Sequence, residues 1–317
     1  MSIIRAIGNT PLVEIKNIWQ SDKVRIFAKI EGCNPSGSIK DRIARYMIQR
    51  AIQSGEFKPG MEIIEATSGN TGISLAMVAA ALGYKCTIVM PKSVSVERSK
   101  LIHAYGASLV LVDGNTDDAI NFVNILIKRY TDVIKENGYW YNPNQFSNDD
   151  NWLAHFFTTG PEITRQLYKL TNSTGYPHLN PTHFVSAYGT TGTIRGCSSW
   201  FKNNYVDTPI HERVRTKVIG VSPKKNSKIQ GLKNLQFQRI PAIHDPRYID
   251  ETVYAVDKEA FEMTRRLARE EGIFCGMSSG AAMSVAIKIA KEIEGYANIV
   301  VILPDSGNRY LSEGVFK

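Results

Sequence analysis

A chain of 317 residues is too long for one small core and calls for one large domain or two of medium size. Its hydrophobic content of 43% and charged content of 21% are those of an ordinary globular protein, and no apolar run reaches the roughly 20 residues of a membrane-spanning helix. The net charge of +8 raises nucleic acid as a partner, but the basic residues interleave with acids and no Lys/Arg run alternates with aromatics, so that class is set aside. The opening residues do not read as a signal peptide. Cys33, Cys86, Cys197 and Cys275 are scattered, with no CxxC and no histidine at a metal-ligand spacing. They read as free thiols in a reducing compartment, which predicts a cytoplasmic protein without a metal site.

In chain order, residues 24–31 carry the rough apolar alternation of a strand. The segment 34–42 (NPSGSIKDR) breaks it at Pro35 and Gly37, and Ser38 is placed to cap the helix that follows Lys40. A lysine held at a rigid strand-to-helix turn, partly dry, is neutral enough to attack a carbonyl, as a Schiff-base lysine must. Most lysines near helix starts are solvated charges, and by itself the turn leaves that reading open. A strand is expected at 62–66, a helix at 71–82, a strand at 85–90, a helix at 96–105, a strand at 108–112 and a helix at 117–129. A polar, aromatic, turn-rich stretch at 139–151 interrupts the rhythm. It resumes with a helix at 161–170, a strand at 182–187, a helix at 193–203 and a strand at 217–222. Helices at 258–271 and 279–294 and a strand at 298–303 close the chain. Such alternation predicts α/β architecture, with parallel sheets covered by helices on both faces. The interruption predicts a smaller domain over 36–147 and a larger one over 1–35 plus 148–317, with ligands beyond the carboxyl ends of the strands.

Three loops carry the chemistry. Thr67, Ser68, Gly69, Asn70 and Thr71 follow the strand at 62–66 and open a helix. Hydroxyls, a carboxamide and helix N-terminal N–H groups suit a carboxylate, though an ordinary capping turn uses the same residues. Gly189, Thr190, Thr191, Gly192 and Thr193 follow the strand at 182–187, and two glycines, three hydroxyls and a helix dipole make a phosphate cradle. It is neither a Walker A loop nor a dinucleotide fingerprint. The third, 276–280 (GMSSG), matches the GxSxG elbow of α/β-hydrolases, but that fold needs a histidine after the serine and the last one here is His244. Ser278 is instead a neutral hydroxyl at a helix start, able to hydrogen-bond a ring nitrogen. Lys224, Lys225, Lys228, Lys233 and Arg239 form the densest basic stretch, either a solvated loop or a funnel for an anionic substrate.

The blocks 34–42 (NPSGSIKDR), 65–76 (EATSGNTGISLA), 183–196 (HFVSAYGTTGTIRG), 272–282 (GIFCGMSSGAA) and 303–316 (LPDSGNRYLSEGVF) resemble the signature blocks of the cysteine synthase family. The resemblance runs from 7–12 (IGNTPL) to the C-terminus and leans toward the B branch through GTTGT, TTGPEI (158–163) and GIFCG. It implies the fold type II, tryptophan synthase β-like architecture: two three-layer α/β domains with mainly parallel sheets, usually as a homodimer. It also implies pyridoxal 5′-phosphate, held covalently by Lys40, with Asn70 on the ring hydroxyl, Gly189 to Thr193 on the phosphate and Ser278 on the ring nitrogen. Thr67, Ser68, Gly69, Asn70 and Thr71 would grip the substrate carboxylate, with Gln145 reaching it, and Gly231 would line the cleft.

The implied reaction is β-replacement on O-acetylserine by sulfide, by way of an aminoacrylate, to give L-cysteine. Lys40 would serve as base, and the smaller domain would close over the substrate. Two positions depart from the pattern. Pro304 stands where the B branch carries a cysteine linked to larger sulfur donors, so thiosulfate is in doubt. Lys233 stands near an arginine of relatives that take O-phosphoserine, and lysine lacks the bidentate fork that suits phosphate. Cystathionine- and diaminopropionate-type synthases and serine dehydratases share the cofactor residues. A cystathionine synthase of the long kind is not expected, since no haem segment precedes Ile7 and no regulatory domain follows Lys317. A non-catalytic binding protein on the same fold is the rival from another class, and Lys40 together with both anion loops argues against it.

Overall fold

The structure, a computed structural model, describes residues 2–133, 139–172, 180–203 and 215–317. Its elements, in chain order, begin with strands β1 (Leu12–Glu14) and β2 (Val24–Ile30), then helix α1 (Lys40–Ser54), β3 (Glu62–Ala66), α2 (Asn70–Leu82), β4 (Cys86–Pro91) and α3 (Val96–Ala104). They continue through β5 (Ser108–Val112), α4 (Thr116–Val133), β6 (Trp140–Tyr141), α5 (Asp150–Ala154), α6 (Gly160–Thr171), β7 (His183–Ala187) and α7 (Gly192–Asn203). The last are β8 (Lys217–Pro223), β9 (Glu251–Ala255), α8 (Asp257–Glu271), α9 (Met277–Glu292) and β10 (Ala297–Leu303). A single π-helical turn, His155–Thr159, joins α5 to α6.

The chain divides into two compact units, one of Met1–Ile7 with Asn34–Asn151 and one of Gly8–Cys33 with Trp152–Lys317. The first unit holds a four-stranded sheet in the order β5-β4-β3-β6, every pair parallel. Successive residues of β3 face opposite ways, as a pleated strand requires. Ile63 joins Ile48, Ile73, Val78, Ile88 and Ile102 in one apolar cluster. Its neighbour Ile64 joins Ala66, Val89, Ala119 and Val123 in another, beneath α4. Helix α2 approaches the sheet at Gly72, where an added Cβ would lie 2.8 Å from both Ile88 Cγ2 and Thr67 Cγ2.

The second unit holds a six-stranded sheet in the order β1-β2-β10-β7-β8-β9. Only β1 is antiparallel to its neighbour. All seven residues of the central strand β10 are buried, the near-continuous apolar run expected of a strand covered on both faces. One face packs Ile26, Val185, Ile219, Ile299 and Val301 against Leu267 of α8 and Ala282 and Val285 of α9. On the strand β2 itself, the fully buried Lys29 gives its ammonium to Glu162 Oε2 at 2.9 Å, Gln166 Oε1 at 2.8 Å and the Thr10 carbonyl at 2.6 Å. Removing one partner of such a buried pair strands the other and costs about 3–5 kcal/mol.

The expected strands and helices all form, with ends displaced by a residue or a few. Three strands escape the sequence pattern, because β1 has three residues, β6 only two, and β9 (ETVYA) has two exposed residues before its first half-buried one. None offers enough residues on a buried face to display an alternation.

Candidate active site

In the first unit, Asn34 and Pro35 open a tight turn that the Gly37 N–H closes on the Asn34 carbonyl at 2.7 Å, with Gly37 at φ +87°. Lys40, partly buried, is the first residue of α1. Ile39, just before α1, already has helical angles. Ser38 accepts the Lys40 N–H on its hydroxyl at 3.3 Å, the bond to the residue two places on that its expected capping role calls for. Beside the lysine, the fully buried Asp41 carboxylate accepts the Ser36 N–H at 2.7 Å, the Ser36 hydroxyl in a short bond, and the Ser74 hydroxyl at 2.6 Å. Ser74 belongs to α2, so one carboxylate fastens the turn before Lys40 to the helix that begins at Asn70.

That helix carries the second group. Thr67 is buried and its hydroxyl accepts the Gly69 N–H at 3.1 Å, while Ser68 is exposed and Asn70 half-buried at the first position of α2. The Thr71 hydroxyl donates to Gln145 Oε1 at 2.6 Å, and Gln145 Nε2 donates to the Ala66 carbonyl at 3.4 Å. Residues 67–71 and Gln145, 74 positions apart at their closest bond, are therefore one cluster. The side chain of Arg98 runs along the loop, 3.2 Å from where a Cβ on Gly69 would stand. Under the cluster, Glu65 is buried without a cationic partner among the described residues. Burial pushes its carboxyl up to about 7, against the opposing pull of the Gln145 and Asn144 N–H groups.

In the second unit, residues 189–193 turn from β7 into the twelve-residue helix α7. Thr190 Oγ1 accepts the Gly192 N–H at 3.4 Å, and Thr193 Oγ1 lies 3.2 Å from His155 Nε2. The other ring nitrogen of that buried histidine meets Thr159 Oγ1 at 2.9 Å across the π-helical turn. Thr191 adopts φ +67°, a left-handed conformation that is a genuine outlier for a β-branched residue. Its hydroxyl is buried and has no hydrogen-bond partner among the described residues. A strained backbone, an orphaned hydroxyl and the N-terminus of a three-turn helix form the donor set that a phosphate completes. The cradle thus fits the cofactor phosphate that the sequence implies.

Segment 231–233 runs beside the cradle: a Cβ on Gly189 would meet the Gly231 carbonyl at 3.4 Å, and the Lys233 N–H donates to the Tyr188 carbonyl at 2.7 Å. The Lys233 ammonium donates to the Arg239 carbonyl at 3.2 Å, and Lys225 stacks over the Phe237 ring at 5.0 Å. Ser278, almost wholly buried, stands in the first turn of α9, which starts two residues earlier than the sequence pattern suggests. The start is set by Gly276, where a Cβ would lie 2.2 Å from Asp305 Oδ1. The Tyr310 hydroxyl fixes that carboxylate at 2.6 Å, and the Gly276 N–H bonds the Asp305 carbonyl at 3.1 Å.

Three residues that support these loops were missed in the sequence: Asp41, Glu65 and His155. The one available signal was an acid within an apolar strand, at Glu65.

The model of the pyridoxal-phosphate dependent enzyme family matches residues 3–305. Cysteine synthase B of Pseudomonas aeruginosa is 40% identical over 315 residues, covering 99% of this chain and 97% of the relative. Among solved structures, cysteine synthase of Entamoeba histolytica superposes with a TM-score of 0.86 at 36% identity, covering 99% of this chain and 90% of that one. An O-ureido-L-serine synthase superposes with a TM-score of 0.87 at 34% identity, covering 99% and 94%.

Proposed function

The chain belongs to the pyridoxal-phosphate dependent enzyme family, and from that premise we propose that it is a cysteine synthase, replacing the β-substituent of O-acetyl-L-serine with sulfide to give L-cysteine. The observation that carries this reading is the likeness to a cysteine synthase B at 40% identity across 99% of the chain. The cofactor is pyridoxal 5′-phosphate; when bound, it supplies an electron sink that eases loss of an amino acid's α-proton and β-substituent.

The chain's own residues would divide the remaining work. Gly189, Thr190, Thr191, Gly192 and Thr193 would hold the cofactor phosphate, and the unpartnered Thr191 hydroxyl supports that assignment. Lys40 would hold the cofactor covalently and, once displaced by the substrate amine, move the α-proton at its Nζ. Asn70 would bond the ring hydroxyl. Ser278 would meet the ring nitrogen without adding charge, which favours elimination over a persistent carbanion. Thr67, Ser68, Gly69, Asn70, Thr71 and Gln145 would bind the substrate carboxylate, and the 2.6 Å bond from Thr71 to Gln145 supports their acting together. The unit that contains residues 67–71 would supply substrate recognition and the covalent lysine, and the unit that contains the cradle would hold the cofactor's phosphate.

For the leaving group we favour acetate over phosphate. The Lys233 ammonium already donates to the Arg239 carbonyl, and lysine offers no bidentate fork. Gly231 would line the cleft. O-Phosphoserine remains the second donor to assay, and the likeness to an O-ureido-L-serine synthase makes nitrogen and oxygen nucleophiles worth a place beside sulfide. We further propose a cytoplasmic homodimer. Among the described residues no helix is long and apolar enough to cross a membrane.

The purified protein is expected to be yellow, to change colour when O-acetylserine is added, and to release cysteine with sulfide. Lys40→Ala is expected to be inactive, and borohydride, which should fix the cofactor to the wild-type chain, is expected to leave it removable from the variant. A Lys40→Ala protein that borohydride still labels with the cofactor would remove the lysine from its role, and a wild type that leaves O-acetylserine untouched would overturn the reaction. Light scattering of the holoenzyme reads the oligomeric state.

A further inference from the structure

We propose that Glu65 is a positioning residue that holds Gln145 against the carboxylate loop and thereby sets the affinity for the substrate's carboxylate. The inference rests on the reading above in which Thr71 and Gln145 bind that carboxylate.

Glu65 is the fourth residue of β3, 2% exposed, paired in register with Ile88 of β4. A carboxylate in such a place is costly unless its oxygens are satisfied. Here both are. Oε2 accepts the Asn144 N–H at 2.8 Å and Oε1 accepts the Gln145 N–H at 3.2 Å. Two adjacent N–H groups on one carboxylate fix the backbone between them. That backbone is under strain, since Asn144 has φ +48°, which a residue with a Cβ adopts at a cost. Past the strained residue, the Gln145 carbonyl accepts from Asn151 Nδ2 at 2.6 Å. Gln145 is thus held at its N–H by Glu65 and at its carbonyl by Asn151, and its side chain is delivered to Thr71 and Ala66. The carboxyl of Glu65 bonds Asn144 and Gln145, and its influence on residues 67–71 passes through Gln145.

The arrangement requires two acceptor oxygens, which a carboxyl group supplies. Glutamine at this position would keep one acceptor oxygen and turn an amide donor toward a backbone donor. Turned toward Gln145, that amide deprives the Gln145 N–H of its acceptor, whereas the Asn144 N–H also donates to Asn142 Oδ1 at 3.0 Å and keeps that bond.

The test compares wild-type holoenzyme with Glu65→Gln, Gln145→Ala and the double variant. Loss of a charge-assisted bond predicts a rise of about tenfold in KM for O-acetylserine in Glu65→Gln. The KM for sulfide and kcat should stay within about twofold, the pattern of lost uniform binding. Amide hydrogen exchange at residue 145 should accelerate without any substrate present. In the Gln145→Ala background, Glu65→Gln should add nothing further to KM, because its route of action is gone. If exchange accelerates while KM holds, and Gln145→Ala still raises KM, the proposal is overturned and the carboxylate reading stands. An equal rise in both backgrounds also overturns it. If Gln145→Ala leaves KM unchanged, the carboxylate reading fails and takes the proposal with it. Should Glu65→Gln not fold, Glu65→Asp keeps both acceptors on a shorter stem, and the same pattern is required of it.

Discussion

The turn after β3 and the turn after β7 are built from the same residue types, yet they differ in what they do with a buried threonine hydroxyl. In the first, Thr67 accepts from Gly69, Thr71 donates to Gln145, and Gln145 is braced by Glu65 and Asn151. Its buried hydroxyls are spoken for within the chain. In the second, Thr191 is held at φ +67° with a buried hydroxyl that none of the described residues engages. A loop that meets its ligand once per turnover gains from being rigid beforehand, because ordering it anew in each cycle would subtract from affinity. A cradle for a resident cofactor can leave a donor to be completed by the ligand, and its folding is then linked to binding.

The largest effect expected from this contrast concerns the acid that braces the first loop. Burial raises the Glu65 carboxyl from 4.5 to about 7. A carboxyl whose folded value is raised binds its proton more tightly in the folded state. Its contribution to stability is therefore complete below the unfolded value of 4.5 and lost as the pH climbs through about 7. A shift of that size corresponds to about 3 kcal/mol. Glu65→Gln removes the titration. Relative to wild type, the variant should gain about 3 kcal/mol across that window, read by denaturant unfolding of cofactor-free protein at a series of pH values. Parallel curves for the two proteins would show that the first loop carries no such burden.

The same contrast explains what the sequence disclosed. Strands β3 and β5 and the sites of the three chemical loops were legible because each is local: an apolar run stops, glycines and hydroxyls follow, and a helical period starts. The roles of Glu65 and His155 were not legible. Glu65 acts on residues 79 and 80 positions away, and His155 meets Thr193 across 38 positions, so no window along the chain contains both partners. Strand β6 was hidden for the same reason. Its two residues become a strand only by pairing with Glu62 and Ile63. The capping bond expected of Ser38, by contrast, was legible, since it spans only the two residues to the Lys40 N–H.

A smaller effect tests the cradle. Thr191→Val keeps the shape and the β-branching and deletes only the hydroxyl. Because that hydroxyl has no partner among the described residues, its loss should leave the cofactor-free protein as stable as wild type or slightly more so. The cofactor should bind about tenfold more weakly, the value of one hydrogen bond to a charged group. Equilibrium dialysis and unfolding without cofactor measure the two sides. A variant that binds the cofactor normally, or that loses stability without it, would show that the hydroxyl serves the fold.

The smallest effect is expected where the chain has already satisfied itself. Thr71→Val is the same chemical change at the same kind of helix start, but Thr71 Oγ1 donates to Gln145 Oε1 at 2.6 Å, and both residues are 2% exposed. Deleting the donor leaves the carboxamide oxygen buried without that bond, which costs about 1 kcal/mol whether or not any ligand is present. Cofactor affinity should be unchanged, since the assigned partner of Thr71 is the substrate carboxylate. Unfolding of cofactor-free protein and dialysis against the cofactor give the two readings for this variant as well. The two threonine variants should therefore trade places: one loses ligand and keeps stability, the other keeps ligand and loses stability. If Thr71→Val is silent in the cofactor-free protein, the first loop is no more pre-organised than the second.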